Sequence, residues 1–255
     1  MLQIKNLSKT FAGHSQPTLS SISLTLQTGD FCMVIGSNGS GKSTLLKILL
    51  GEYAADTGKI RLGDQDIFKQ PLYQRGKYIS GVFQDVVRGT IADMTVSENL
   101  SLAYMRGRKA TFGSYRQYQH VFMQHLSSLQ MDLEKKLNTL CRELSGGQRQ
   151  AIAFTMATLH SPQLLLLDEH CSALDPKSSQ HIMESTAQLI QQKNITTLMV
   201  THHLPDAIKH GNRLIMIHKG NIVFDVSGTE KKALTITQLL QRFHHHEDSL
   251  LMGEG

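Results

Sequence analysis

Phe31-Cys32-Met33-Val34-Ile35-Gly36-Ser37-Asn38-Gly39-Ser40-Gly41-Lys42-Ser43-Thr44 joins an apolar run to a glycine-rich turn and then to Lys-Ser-Thr. The five apolar residues read as a strand. The leucine-rich Thr44 to Leu50 that follows reads as a helix ending before Gly51. Between them lies the G-x-x-x-x-G-K-[ST] pattern in strand–loop–helix context. Gly36, Gly39 and Gly41 let the backbone turn so that successive N–H groups face one concavity. The helix starting near Ser43 adds the positive end of its dipole. Lys42 has the reach and charge for β- and γ-phosphates, and the Ser43 hydroxyl suits Mg²⁺. Gly36, Ser37, Asn38, Gly39, Ser40, Gly41, Lys42, Ser43 and Thr44 are therefore expected to hold a nucleoside triphosphate.

The 255 residues suffice for one large α/β domain with room for an inserted subdomain. A hydrophobic fraction of 40% and a charged fraction of 18% are ordinary for a globular chain. No apolar run approaches the roughly 18 residues that span a bilayer, and the N-terminus lacks a signal-peptide core. Work at a membrane would go through partners. Cys32, Cys141 and Cys171 are scattered, with no C-x-x-C pair, which argues against a disulfide framework or zinc site and fits a reducing cytoplasm. The net charge is +5, but the 26 Lys and Arg residues form no long run, so no nucleic-acid partner is expected. The tail residues His244-His245-His246 read as plain tail rather than a metal site, and the 11 methionines as core packing.

Alternation at Leu2 to Lys5 and Ile22 to Leu26 predicts strands, with a turn from Ala12 to Pro17 between them. Further strands are expected at Gly58 to Gly63 and Tyr78 to Phe83. From roughly 93 to 160 the pattern turns helical, with one helix opening at Ser97-Glu98-Asn99-Leu100 and another from Tyr115 to Leu129. Leu164 to Leu167, a helix from about Pro176 to Gln192, and Thr197 to Val200 restore strand–helix–strand alternation, which predicts a mostly parallel sheet. Arg213 to His218 and Asn221 to Val226 flank Lys219-Gly220 as a hairpin, and a last helix is expected from about Thr237 to Phe243. No internal repeat is present.

Four further motifs follow the loop in order: Leu144-Ser145-Gly146-Gly147-Gln148, Leu164-Leu165-Leu166-Leu167-Asp168-Glu169, Ser172-Ala173-Leu174-Asp175 and Val200-Thr201-His202. With Gln84 between loop and signature, this order resembles the ABC transporter ATPase family over nearly the whole chain. The resemblance implies a RecA-like α/β core with a mostly parallel sheet and an N-terminal antiparallel β subdomain. It places an inserted helical subdomain at about 86–160 within a single domain of 1–243, followed by a loose tail at 244–255.

Two carboxylates at the end of a buried strand divide labour readily: Asp168 binds Mg²⁺ and Glu169 polarises the attacking water as general base. By resemblance, His202 contacts the γ-phosphate, Gln84 touches Mg²⁺ or the water, and Phe11 stacks on adenine. His203 carries no such role. Ser145 is expected to cap the helix after it, and Gly146, Gly147 and Gln148 complete a second anion site at that helix start. The family closes this signature over the ATP of a second subunit, so that two ATP molecules are buried in a head-to-tail homodimer linked through Asp175. The chain is then expected to act as a peripheral ATPase on the cytoplasmic face of the membrane. ATP binding would close the dimer and hydrolysis open it, moving integral membrane permease subunits and drawing on an extracytoplasmic substrate-binding protein.

His170-Cys171 stands where many relatives have Pro-Thr, and the stretch from Gln84 to Thr95-Val96, with Arg88-Gly89-Thr90, looks longer than in common importers. These features resemble a bacterial branch paired with permeases of the branched-chain amino acid type, some serving aromatic amino acids. Import of a small solute is the leading expectation. The alternatives are a soluble ABC ATPase acting on nucleic acid or ribosomes, for which coiled coils, zinc insertions or a second ATPase unit are missing, and a module that holds ATP without turnover, which Glu169 and His202 oppose.

Overall fold

The computed structural model describes residues 1–85, 89–106, 115–171 and 174–248, with backbone alone at 115–116 and 243–248. Arg88, Ser172 and Ala173 lie outside the described residues, and His244-His245-His246 outside the described side chains. In chain order the first stretch holds β1 (Leu2–Lys9), β2 (Leu19–Leu26), β3 (Phe31–Ile35), α1 (Lys42–Leu50), β4 (Thr57–Leu62) and β5 (Gln65–Asp66). The middle holds α2 (Leu72–Arg75), β6 (Ile79–Val82), α3 (Val96–Met105), α4 (Gln119–Ser127), α5 (Gly146–Thr158), β7 (Leu164–Asp168) and α6 (Pro176–Gln192). Last come β8 (Thr197–Val200), α7 (Leu204–Lys209), β9 (Arg213–His218), β10 (Asn221–Ser227), α8 (Gly228–Ala233) and α9 (Ile236–Asp248). Two compact units result: Met1–Pro71 with Thr196–Gly255, and Leu72–Ile195.

In the first unit an antiparallel sheet runs β2-β1-β4-β5, with Leu2 opposite both Leu26 and Leu62. Ile22, Leu24 and Leu26 of β2 are buried and alternate with exposed Ser21, Ser23 and Thr25, the period-2 pattern of a sheet with one face on a core. The other strands place β3 between β8 and β9, parallel to both, with β10 antiparallel to β9. Every residue of β3 and β8 is buried, which is why β3 reads as a continuous apolar run and β8 as one after Thr197, rather than as alternating strands.

In the second unit β6 runs parallel to β7, from Ile79 opposite Leu164 to Val82 opposite Leu167. Thr95 and Glu98 close a capping box at the start of α3, satisfying two donors of its first turn. The expected helix from Tyr115 to Leu129 divides into a 3-10 turn over Tyr115–Tyr118 and α4, and the turn sets Tyr118 against Tyr104 with ring centroids 4.5 Å apart. At the far end, α9 runs to Asp248, beyond Phe243 where a helix end was expected. Among the described residues no helix is long and apolar enough to cross a membrane.

Candidate nucleotide site

In the first unit the site begins at the carboxyl end of β3. The loop after Ile35 turns through Gly36 at φ +152° and Gly41 at φ +106°. A Cβ on Gly36 would run into the Ile217 carbonyl and come 2.8 Å from Ser40 Oγ, while one on Gly41 would lie 2.6 Å from Leu19 Cδ2 and Thr18 O. Conformation and space thus both demand glycine. Lys42 is buried, and its Nζ donates to the carbonyls of Gly36 and Ser37, each at 2.8 Å. The ammonium is therefore folded back across the loop. Helix α1 begins with Gly41 as its N-cap and has no side-chain cap and no acidic residue in its first turn. Ser40 Oγ is buried without a hydrogen-bond partner.

Because β3 and β8 are parallel, with Val34 opposite Val200 and Thr201 N–H donating to Val34 O at 3.1 Å, His202 leaves the sheet at the same end as the loop. Its side chain is exposed. His203 instead holds Asp206 through Nδ1 at 3.0 Å, a local contact at the start of α7. Phe11 is half-buried and meets Tyr53 edge-on, centroids 5.3 Å apart, with Lys9 Nζ over its ring at 5.4 Å. Asp56 fixes that lysine at 2.9 Å and accepts from Thr10 N–H at 2.6 Å. Tyr53 escaped the sequence reading, since nothing in Gly51-Glu52-Tyr53 marks it as a neighbour of Phe11.

In the second unit the parallel pairing of β6 and β7 brings Gln84 and Asp168-Glu169 out at one end. Asp168 is buried as the last residue of β7, and Glu169 turns away from it at φ +49°, an uncommon conformation for a residue with a side chain. Gln84 is exposed in the bend beyond β6, and the Phe83 carbonyl before it accepts from Gln150 Nε2 at 3.5 Å. Gln150 belongs to α5, the helix that the signature opens. At that helix start Ser145 Oγ accepts from Gln148 N–H and Gln148 Oε1 accepts from Ser145 N–H, both at 3.3 Å, so the expected cap is present as a complete capping box. Lys136 Nζ adds a bond to Gln148 Oε1 at 3.2 Å. Gly146 is exposed, whereas Gly147 is buried against Ser178. Asp175 caps α6, accepting from Ser178 N–H at 3.0 Å, and its bonds with Ser178 hold the carboxyl below its usual range.

His170, the departure from Pro-Thr after Glu169, has a structural place of its own. It is buried, its Nε2 sits 3.3 Å from Thr186 Oγ1, and its ring stacks on Phe154 with centroids 6.3 Å apart. Burial pushes its pKa down to about 4, so the ring is neutral at pH 7.

Residues 19–172 match the ABC transporter family. The chain belongs to that family. It is 44% identical to the tyrosine transport ATP-binding protein of Clostridioides difficile (strain R20291) over 96% of this chain and 99% of that protein. It is also 35% identical to the thiamine import ATP-binding protein of Yersinia pseudotuberculosis (serotype I, strain IP32953), covering 82% of this chain and 87% of that one. A dimeric ATP-binding cassette in a post-hydrolysis state bound to ADP and Pi superposes with a TM-score of 0.77 at 26% identity, over 89% of this chain and 98% of that chain. The chain is an ATP-binding, ATP-hydrolysing subunit of an ABC transporter, with the α/β cassette fold. Its loop fits the phosphates: a buried unpartnered hydroxyl at Ser40, a buried ammonium at Lys42 and a helix start uncapped by any side chain all suit an anion.

Proposed function

We propose that this chain is the ATPase of an amino acid importer, taking up tyrosine or a related aromatic amino acid. The observation that carries this is the near end-to-end match, at 44% identity, to a tyrosine transport ATP-binding protein. In this reading it works as a homodimer on the cytoplasmic face of the membrane, bound to permease subunits and served by an extracytoplasmic binding protein. Dimeric cassettes of the same fold support the homodimer.

ATP supplies the phosphoanhydride bond, and Mg²⁺, when bound, would neutralise its phosphate oxygens. The N–H groups of residues 36–44 and the Lys42 ammonium bind the phosphates; for this, Lys42 gives up its two loop carbonyls. Ser43 and Asp168 would hold Mg²⁺ with help from Gln84. Among the described residues no cluster of three or more His, Cys, Asp or Glu could hold a metal ion. One hydroxyl and one carboxylate are oxygen donors of the kind Mg²⁺ takes. Glu169 accepts a proton from the attacking water, and His202 orients that water against the γ-phosphate. Phe11 stacks on the base. Ser145, Gly146, Gly147 and Gln148 of the second subunit close over the same nucleotide, and Asp175 links the two sites. The bond from Gln150 to the carbonyl before Gln84 supports a link from that glutamine to the signature helix.

The test is affinity purification of the tagged chain from detergent-solubilised membranes, followed by reconstitution of what it carries. A multi-span permease and tyrosine-stimulated ATP hydrolysis in proteoliposomes are expected. A soluble nucleoprotein partner with no permease would defeat the transport reading, and stimulation by an unrelated solute would defeat the substrate.

A further inference from the structure

Glu169 has a left-handed φ of +49°, a conformation that persists on a non-glycine residue only where its surroundings over-determine it. The next residue provides such surroundings. His170 is 4% exposed, between Thr186 of α6, which is 0% exposed, and Phe154 of α5, which is 1% exposed. Thr186 is informative because of what its hydroxyl does not do. Thr155 and Thr158 of α5 donate to carbonyls four residues back, at 2.8 and 2.9 Å, the usual outlet for a threonine inside a helix. The Thr186 hydroxyl instead meets His170 Nε2 at 3.3 Å. The imidazole is thereby pinned at its tip by α6 and on its face by α5. Helix α5 starts at the signature, and α6 is capped by Asp175.

We infer that His170 is a positioning residue for hydrolysis, fixing the backbone that carries Glu169 to the two helices that begin at the signature and at Asp175. A shift of either helix then reaches Glu169 through one rigid ring rather than through a loose turn, so hydrolysis depends on how the signature helix sits. This rests on Glu169 being the general base.

The experiment measures phosphate release and ATP affinity on the purified full chain, with thermal stability followed in parallel. His170→Ala and Thr186→Val are each expected to lower kcat roughly tenfold while ATP affinity stays within about twofold, the mark of an interaction used in the transition state. The double variant should be no slower than His170→Ala, because both changes remove one link. His170→Gln, which can set an amide near Thr186 Oγ1, should recover at least about half of the lost rate. Unchanged kcat in Thr186→Val, equal losses in kcat and affinity, additive losses, or no recovery with Gln would each overturn the inference. Should His170→Ala not fold, Thr186→Val and His170→Gln decide it. Glu169→Gln separates the two levels: a wild-type rate there removes the base assignment, whereas an inactive Glu169→Gln beside an unaffected Thr186→Val removes the inference alone.

Discussion

The chain starts two helices from glycine-rich turns and finishes them differently. At α1 the cap is Gly41, which has no side chain to offer, and Lys42 supplies the local positive charge. At α5 the cap is Ser145, and the capping box with Gln148 satisfies the first turn from within. The first start is shaped for an external anion, while the second is capped from within. The glycines differ in the same sense. Gly41 sits at positive φ against Leu19 and Thr18, whereas a Cβ on Gly146 would make only an ordinary contact, 3.6 Å from Leu174. One turn is fixed by its close packing, the other by its own capping box.

The strongest way to test this division is through chemistry rather than binding. Glu169→Gln should lower kcat by roughly 10²–10⁴, the usual worth of a general base, and leave a dimer that holds ATP. Light scattering with ATP should then show dimer where the wild type turns over to monomer. Persistent monomer would break the picture of a signature that waits for a second subunit. Lys42→Ala should weaken ATP binding roughly 10- to 100-fold, as expected for loss of a charge-assisted bond, readable by nucleotide titration. Retained affinity would mean that the loop does not hold the phosphates.

The two glycines give a smaller, more pointed contrast. Gly41→Ala should cost roughly 1–3 kcal/mol of stability through strain and collision. Gly146→Ala should change stability by less than about 0.5 kcal/mol. Equal urea midpoints for the two variants would erase the difference. Ser145→Ala should cost about 1 kcal/mol as a lost cap while leaving ATP affinity of the isolated subunit unchanged.

A pH series probes the packing behind the signature helix. Burial is the main cause that lowers the pKa of both His170, to about 4, and His125, whose Nδ1 meets the Val121 carbonyl at 2.9 Å. Below pH 6.5 the unfolded chain takes up protons that these rings refuse, so stability is complete above that pH and falls as pH drops towards 4. Urea midpoints between pH 7.5 and 4.5 should show that slope, and His170→Gln should flatten it. An unchanged slope in the variant would place the dependence elsewhere.

Much of this was legible in the residues. The strand Phe31–Ile35, the helix Pro176–Gln192 and the strand Leu164–Asp168 appear where periodicity and capping residues set them, because each signal is local. Ser145 could be read as a cap for the same reason: hydroxyl, two glycines and glutamine stand at the spacing of the box. Harder to read was the 3-10 turn at Tyr115–Tyr118, which a helical apolar pattern conceals until Tyr104 meets Tyr118.

By itself the sequence determined the nucleotide chemistry, since a phosphate loop is built from neighbours whose backbone angles and donors depend on residues within a single turn. The tertiary structure decided what lies against that chemistry: Tyr53 and Lys9 around Phe11, Gln150 on the carbonyl before Gln84, and Thr186 and Phe154 around His170. Those partners are 16 to 67 positions apart in the last three contacts. Contacts at such separation form only once the strands and helices have packed, and no local spacing encodes them.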